Sequence, residues 1–160
     1  MAVDFSASSE ALVVQTPSQL TIGRIANGIL RPAANPCFFV YKTDGVPINS
    51  VILYNATIFN VGNGYNSDTG VFTAPLAGIY HIKAEILLPN IAGEYRLYLI
   101  AAGKTSRYVI FYQGTTNSYH TLFVEGVYNF AKGDTVYCQY NGPVVLAGYE
   151  HNNFSGHFVG

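Results

Sequence analysis

Residues 71–88 read VFTAPLAGIYHIKAEILL, and the last ten of them decide the class of fold. Tyr80, Ile82, Ala84, Ile86 and Leu88 fall on one side of an extended chain, and His81, Lys83 and Glu85 fall on the other. A period of two with one wet side is the pattern of a half-buried antiparallel strand. The same logic extends outward. Residues 94–101 set Tyr95, Leu97 and Leu99 against Glu94, Arg96 and Tyr98. Residues 106–113 are apolar on both sides, as expected of a strand covered on both faces. Residues 119–130 read as a long strand in which Gly126 marks a bulge or a close approach. The turn Ala131-Lys132-Gly133-Asp134 leads into 135–140, where Val136, Cys138 and Tyr140 alternate with Thr135, Tyr137 and Gln139. The closing strand runs from Phe154 to Val159, and NVGNGYNSDTG over 60–70 reads as a polar, glycine-rich loop. Helix signals are nearly absent. Short runs cut by Gly, Asn, Asp and Pro predict an antiparallel sandwich or barrel.

Composition narrows the function classes. The chain has 160 residues, with 8 Lys+Arg and 9 Asp+Glu. That is one domain with room for a short arm. Charged residues make up 11%, where soluble domains carry about 25%. Aromatics reach 14%, which excludes a disordered chain. A net charge of −1 without a basic run argues against phosphate-driven nucleic-acid binding. So few charges imply that much of the surface is covered in an oligomer, because obligate interfaces resemble a core cut in half. No stretch reaches the roughly 18 apolar residues of a membrane helix, so no membrane insertion is expected. MAVDFSASSEALVVQ lacks the basic and apolar regions of a secretory signal. The expectation is synthesis in the cytosol, export without a removable signal, or a mature form numbered from an added Met1. Residues 1–35 differ from the rest. Leu12–Val14 and Leu20–Ile25 are short β-like runs in a segment too small to bury its own core, which reads as an arm.

Residues 54–84, YNATIFNVGNGYNSDTGVFTAPLAGIYHIKA, resemble the signature of the complement C1q globular domain, which shares the tumour-necrosis-factor-like jelly roll. Asn60, Tyr65, Phe72, Thr73-Ala74-Pro75, Gly78 and Tyr80 stand at the family's spacing. Tyr54 stands where the signature has Phe, and Ile82 and Ala84 stand where it has aromatics. Pro36-Cys37-Phe38-Phe39-Val40, Ala131-Lys132-Gly133-Asp134-Thr135-Val136 and Phe154-Ser155-Gly156-His157-Phe158 are similar to its opening strand, its Gly-Asp turn and its terminal strand. The resemblance covers residues 36–160. It implies an all-β, antiparallel, ten-stranded jelly-roll sandwich that forms a homotrimer, with Asn60, Tyr65, Phe72, Gly78 and Tyr80 as structural and not chemical residues. Cys37 and Cys138 are two small buried hydrophobes on the residues alone. The resemblance sets the first strand near the last long strands of one sheet, which makes the pair a candidate disulfide.

No catalytic motif is present. There is no Gly-x-Ser-x-Gly elbow, and Ser155-Gly156-His157 is too close in sequence to supply a nucleophile and its base. The expectation is a non-enzyme without catalytic residues, cofactor or metal. Asn63, Asn66, Ser67 and Asp68 in the exposed loop could offer oxygens to calcium, but one carboxylate without EF-hand spacing reads better as a hydrogen-bonded turn. His81, His120, His151 and His157 are scattered, and one of them could be tripled into an ion site on a trimer axis. Tyr98, Tyr108, Tyr112, Tyr119, Tyr128 and Tyr137 read as exposed, for glycan stacking, protein contact or a trimer seam. The main reading is a trimeric virion surface protein, such as a phage capsid decoration, knob or fibre tip. Residues 1–35 would hold other virion proteins, and the distal loops would face a host glycan or protein. Leu20-Thr21-Ile22-Gly23-Arg24-Ile25 followed by Arg31-Pro32 is loosely similar to the lead-in of phage and bacterial C1q-like modules. The alternative is a free, secreted C1q-like lectin or ligand of a bacterium or animal.

Overall fold

The computed structural model describes the backbone of residues 12–15, 21–26 and 29–32 and, with side chains, residues 35–114, 119–143, 146 and 151–160. The chain divides into two units, Met1–Asn35 and Pro36–Gly160. In the first, β1 (Leu12–Gln15), β2 (Thr21–Ala26) and β3 (Ile29–Pro32) form an antiparallel sheet in that order. The two β-like runs of the sequence become β1 and β2, and a third strand follows them.

The second unit holds β4 (Cys37–Tyr41), β5 (Ser50–Val51), β6 (Ala56–Val61), β7 (Tyr65–Asn66), β8 (Val71–Thr73), β9 (Gly78–Leu88), β10 (Gly93–Ala101), β11 (Arg107–Gln113), β12 (His120–Phe130), β13 (Thr135–Asn141) and β14 (Asn153–Phe158). They make a jelly-roll sandwich of two antiparallel sheets. One has the order β11-β10-β13-β8-β7, with β5 also on β13, and the other has the order β12-β9-β14-β4-β6. Eleven strands are thus counted among the described residues of this unit, two of them, β5 and β7, only two residues long. The polar stretch 60–70 is the reason for β7, because Tyr65 turns inward from the middle of it.

Alternation places the core between the sheets. β9 buries Tyr80, Ile82, Ala84, Ile86 and Leu88, and β10 buries Tyr95, Leu97 and Leu99 from the facing sheet. One end of the sandwich is aromatic. Phe38 lies 4.6 Å from Phe72 and 4.8 Å from Phe154, and Tyr80 lies 5.7 Å from both Phe72 and Phe130. Offset and edge-on pairs of this kind add about 0.5–1.5 kcal/mol each beyond the area they bury. Gly78 opens β9 at φ +145°, and a Cβ there would sit 2.5 Å from the Phe158 ring. Only glycine fits such a conformation and such an approach. At Gly126 the register of β12 on β9 runs without a bulge, and a Cβ would sit 2.8 Å from the Tyr128 ring, so close approach is the reason for this glycine.

Two expectations need correction. Residues 106–113 are not covered on both sides: β11 is the edge of its sheet and leaves Tyr108 and Tyr112 exposed. Tyr128 is not exposed either, since it follows the inward parity of β12 and stacks on Phe130 at 5.3 Å.

Candidate functional site

The signature residues build the core. Asn60 clamps Tyr65 at two points: its Nδ2 donates to the Tyr65 carbonyl at 2.8 Å, and the Tyr65 amide donates to its Oδ1 at 3.1 Å. The Tyr65 hydroxyl donates to the Tyr54 carbonyl at 3.0 Å and accepts from the Tyr54 amide at 2.9 Å. Burial pushes this hydroxyl well above the usual phenol range. The Tyr80 hydroxyl donates to the Leu76 carbonyl at 2.9 Å. These side chains tie the 54–80 segment to the core.

In the 60–70 loop the Asp68 amide donates to Asn66 Oδ1 at 2.8 Å, and the Gly70 amide donates to the Asn66 carbonyl at 2.9 Å. Asn66 and Asp68 therefore meet in a side-chain-closed turn, while Asn63 adopts a positive φ of 51° nearer the start of the loop. Among the described residues no three His, Cys, Asp or Glu side chains form a group able to hold a metal ion.

Cys37 and Cys138 are not brought together. Both thiols are free. β4 and β13 belong to opposite sheets. The parity of β4 turns Phe38 and Val40 into the core, so Cys37 faces outward, whereas Cys138 is fully buried. Burial pushes the Cys138 thiol well above its usual range.

A candidate interaction surface is the outward face of the five-stranded sheet. Strand register arranges it in rows. One row runs Val127, His81, His157, Cys37, Val61 across the five strands. The next runs Glu125, Lys83, Ser155, Phe39, Phe59. The third begins with Phe123 and Glu85. Phe59 is 43% exposed, Phe123 54% and Val127 61%. Polar groups are paired among themselves: His81 Nε2 lies 3.3 Å from Glu125 Oε2, and Lys83 Nζ lies 2.9 Å from Glu85 Oε2 and 5.4 Å from the Phe123 ring centre. The His81 and His157 rings are 5.4 Å apart and edge-on. A depression of about 270 Å³ opens beside them, bordered by Phe59, Lys83 and Ser155. Period two alone sets His81 on a polar side, but its meeting with His157 depends on a register 76 residues apart in sequence, which no local pattern carries.

A second exposed surface lies at the β10–β11 edge. Tyr98 and Tyr108 pack at 5.8 Å, and Tyr112 stands 71% exposed beside the paired Glu94 and Arg96. Tyr112 and Arg96 hydrogen-bond the Glu94 carboxyl and hold it below the usual carboxylate range.

A two-sheet jelly roll whose aromatic core is tied down by Asn60, Tyr65 and Tyr80 defines the C1q and tumour-necrosis-factor class of fold. Residues 37–159 match the C1q domain family, and the chain belongs to that family. It is 31% identical over 107 residues to the complement C1q tumor necrosis factor-related protein 3 of both Mus musculus and Homo sapiens. That match covers 67% of this chain and 42% of each relative, so the match spans under half the length of these relatives. The globular domain of a zebrafish complement 1qA protein superposes with a TM-score of 0.65 at 18% identity, covering 79% of this chain and 98% of that one. Murine APRIL superposes at 0.64 with 13% identity, covering 78% and 99%. These two likenesses concern the fold. C1q-like domains are in general binding modules and not enzymes. Among the described residues no helix is long and apolar enough to cross a membrane.

Proposed function

We propose that this chain is a homotrimeric, non-enzymatic C1q-like binding module whose three copies pack through the outward face of the five-stranded sheet. The carrying observation is that Phe59, Phe123 and Val127 stand exposed across that face in a chain with 11% charged residues. Large apolar side chains exposed at both edges of one sheet face, with few charges between them, favour an interaction surface. Symmetric assembly is the usual way to cover it, because one patch then serves every copy. Trimerisation leaves the tyrosine-bearing β10–β11 edge and the 60–70 loop for a ligand, a surface glycan or protein engaged by three copies at once. A secreted location goes with this reading. The matched relatives are complement-related proteins by name and support the binding module more directly than the virion role. Residues 1–35 then serve as an attachment arm to a carrier, and the 36–160 jelly roll carries assembly and binding.

The test is the solution mass of the full-length protein with and without Phe123→Asp. Light scattering should give three chains for the native protein and one for the variant, with the same β-sheet circular dichroism. A monomeric native protein, or a trimer indifferent to Phe123→Asp, would overturn the reading.

A further inference from the structure

We propose that His81 and His157 form a chelating site for a first-row transition cation of the zinc type. The two are direct cross-strand partners on β9 and β14, on the same side of the sheet, with their rings 5.4 Å apart. Directly opposed residues hold their Cβ atoms about 4.5–5.5 Å apart. Two imidazoles at that spacing can aim one nitrogen each at a single ion, at the usual zinc–nitrogen distance of about 2.0–2.1 Å. Both ligands stand on paired strands, so no loop has to be ordered for them to meet.

The surroundings favour a cation. Glu125 Oε2 lies 3.3 Å from His81 Nε2, and a carboxylate on one ring nitrogen orients the imidazole and strengthens the other as a donor. The charged side chains on this patch are Glu125, Glu85 and Lys83, two carboxylates against one ammonium. Lys83 is engaged by Glu85 at 2.9 Å and by the Phe123 ring at 5.4 Å. Cys37 is the next residue in the row, the direct partner of His157, and does not complete a three-ligand group. The adjoining depression of about 270 Å³ gives space for the waters that complete the ion's shell. No three ligand side chains converge among the described residues, so the site is a two-imidazole chelate finished by water and not a closed cage. Imidazole selects zinc, copper or nickel over calcium and magnesium, which prefer oxygen. Both ligands belong to one chain, so each copy carries its own site on the face through which the proposed trimer packs, and the monomeric Phe123→Asp variant should keep it.

Titration calorimetry of the full-length protein with Zn²⁺ tests it, with the solution mass recorded on the same samples. One Zn²⁺ per chain is expected whatever the mass, with no saturable heat from Ca²⁺. His81→Gln and His157→Gln should each weaken binding at least tenfold while β-sheet circular dichroism and melting stay unchanged. Absence of saturable Zn²⁺ binding by the native chain would overturn the proposal. So would affinity unchanged in the two glutamine variants, or a loss from Cys37→Ser as large as from either of them.

Discussion

The two sides of the five-stranded sheet come from the same strands and share one alternation, yet only one of them is satisfied within the chain. Inward, Val40, Tyr80, Ile82, Ala84, Ile86 and Phe154 meet the facing sheet and lose contact with water completely. Outward, Phe59, Phe123 and Val127 share their rows with Lys83, Glu85 and His81 respectively and remain in solvent. A strand's parity says that two sides differ. What each side meets depends on whether a partner lies within the chain or on another copy.

Truncation separates the two sides most sharply. Phe154→Ala empties a site in contact with Phe38, Tyr54 and Tyr65, and should cost about 3–5 kcal/mol in urea unfolding. Phe123→Ala should lower the assembly state and cost the isolated chain under about 0.5 kcal/mol. Equal losses from both, with mass unchanged, would erase the contrast. Gly78→Ala places a methyl group against the Phe158 ring at a positive φ and should cost about 1–3 kcal/mol. A neutral result in thermal melting would show that β9 can start without glycine. Tyr65→Phe removes a hydroxyl that both donates to and accepts from the Tyr54 backbone, and should cost about 1–2 kcal/mol by the same melting.

Alkali should act chiefly on the interior. Burial raises the Cys138 thiol above its ordinary value of 9.0, and raises Tyr65 and Tyr80 above 10.0. Above pH 9 the unfolded chain releases these protons first, so the folded chain holds more of them and stability falls as pH rises. Unfolding free energy measured from pH 8 upward should decline, with an earlier onset than in Cys138→Ala. A flat profile shared by both proteins would remove burial as the cause.

Much of the fold was legible because its signals are local. The parity of 79–88, the Lys132-Gly133-Asp134 turn and the 54–84 pattern each lie within a few tens of residues, and the observed strands follow them. Where reading failed, the cause was distance along the chain. Residues 106–113 have the composition of a covered strand, but β11 ends its sheet, and no residue within it announces an edge. Tyr128 shares the composition of the surface tyrosines, and only the unbroken inward parity of β12 through Leu122, Val124 and Phe130 takes it inside. The Cys37–Cys138 pairing failed because the two strands lie in different sheets, with Cys37 turned away from the core.

By itself the sequence determined the β class, the inward set on each long strand and the residues of the C1q pattern, because alternation follows from the geometry of consecutive residues. Tertiary structure alone decided which outward residues became neighbours. His81, His157 and Cys37 form one row only because β14 lies between β9 and β4 in a particular register. That register is set by packing the two sheets around a common core, a long-range condition that no single segment contains.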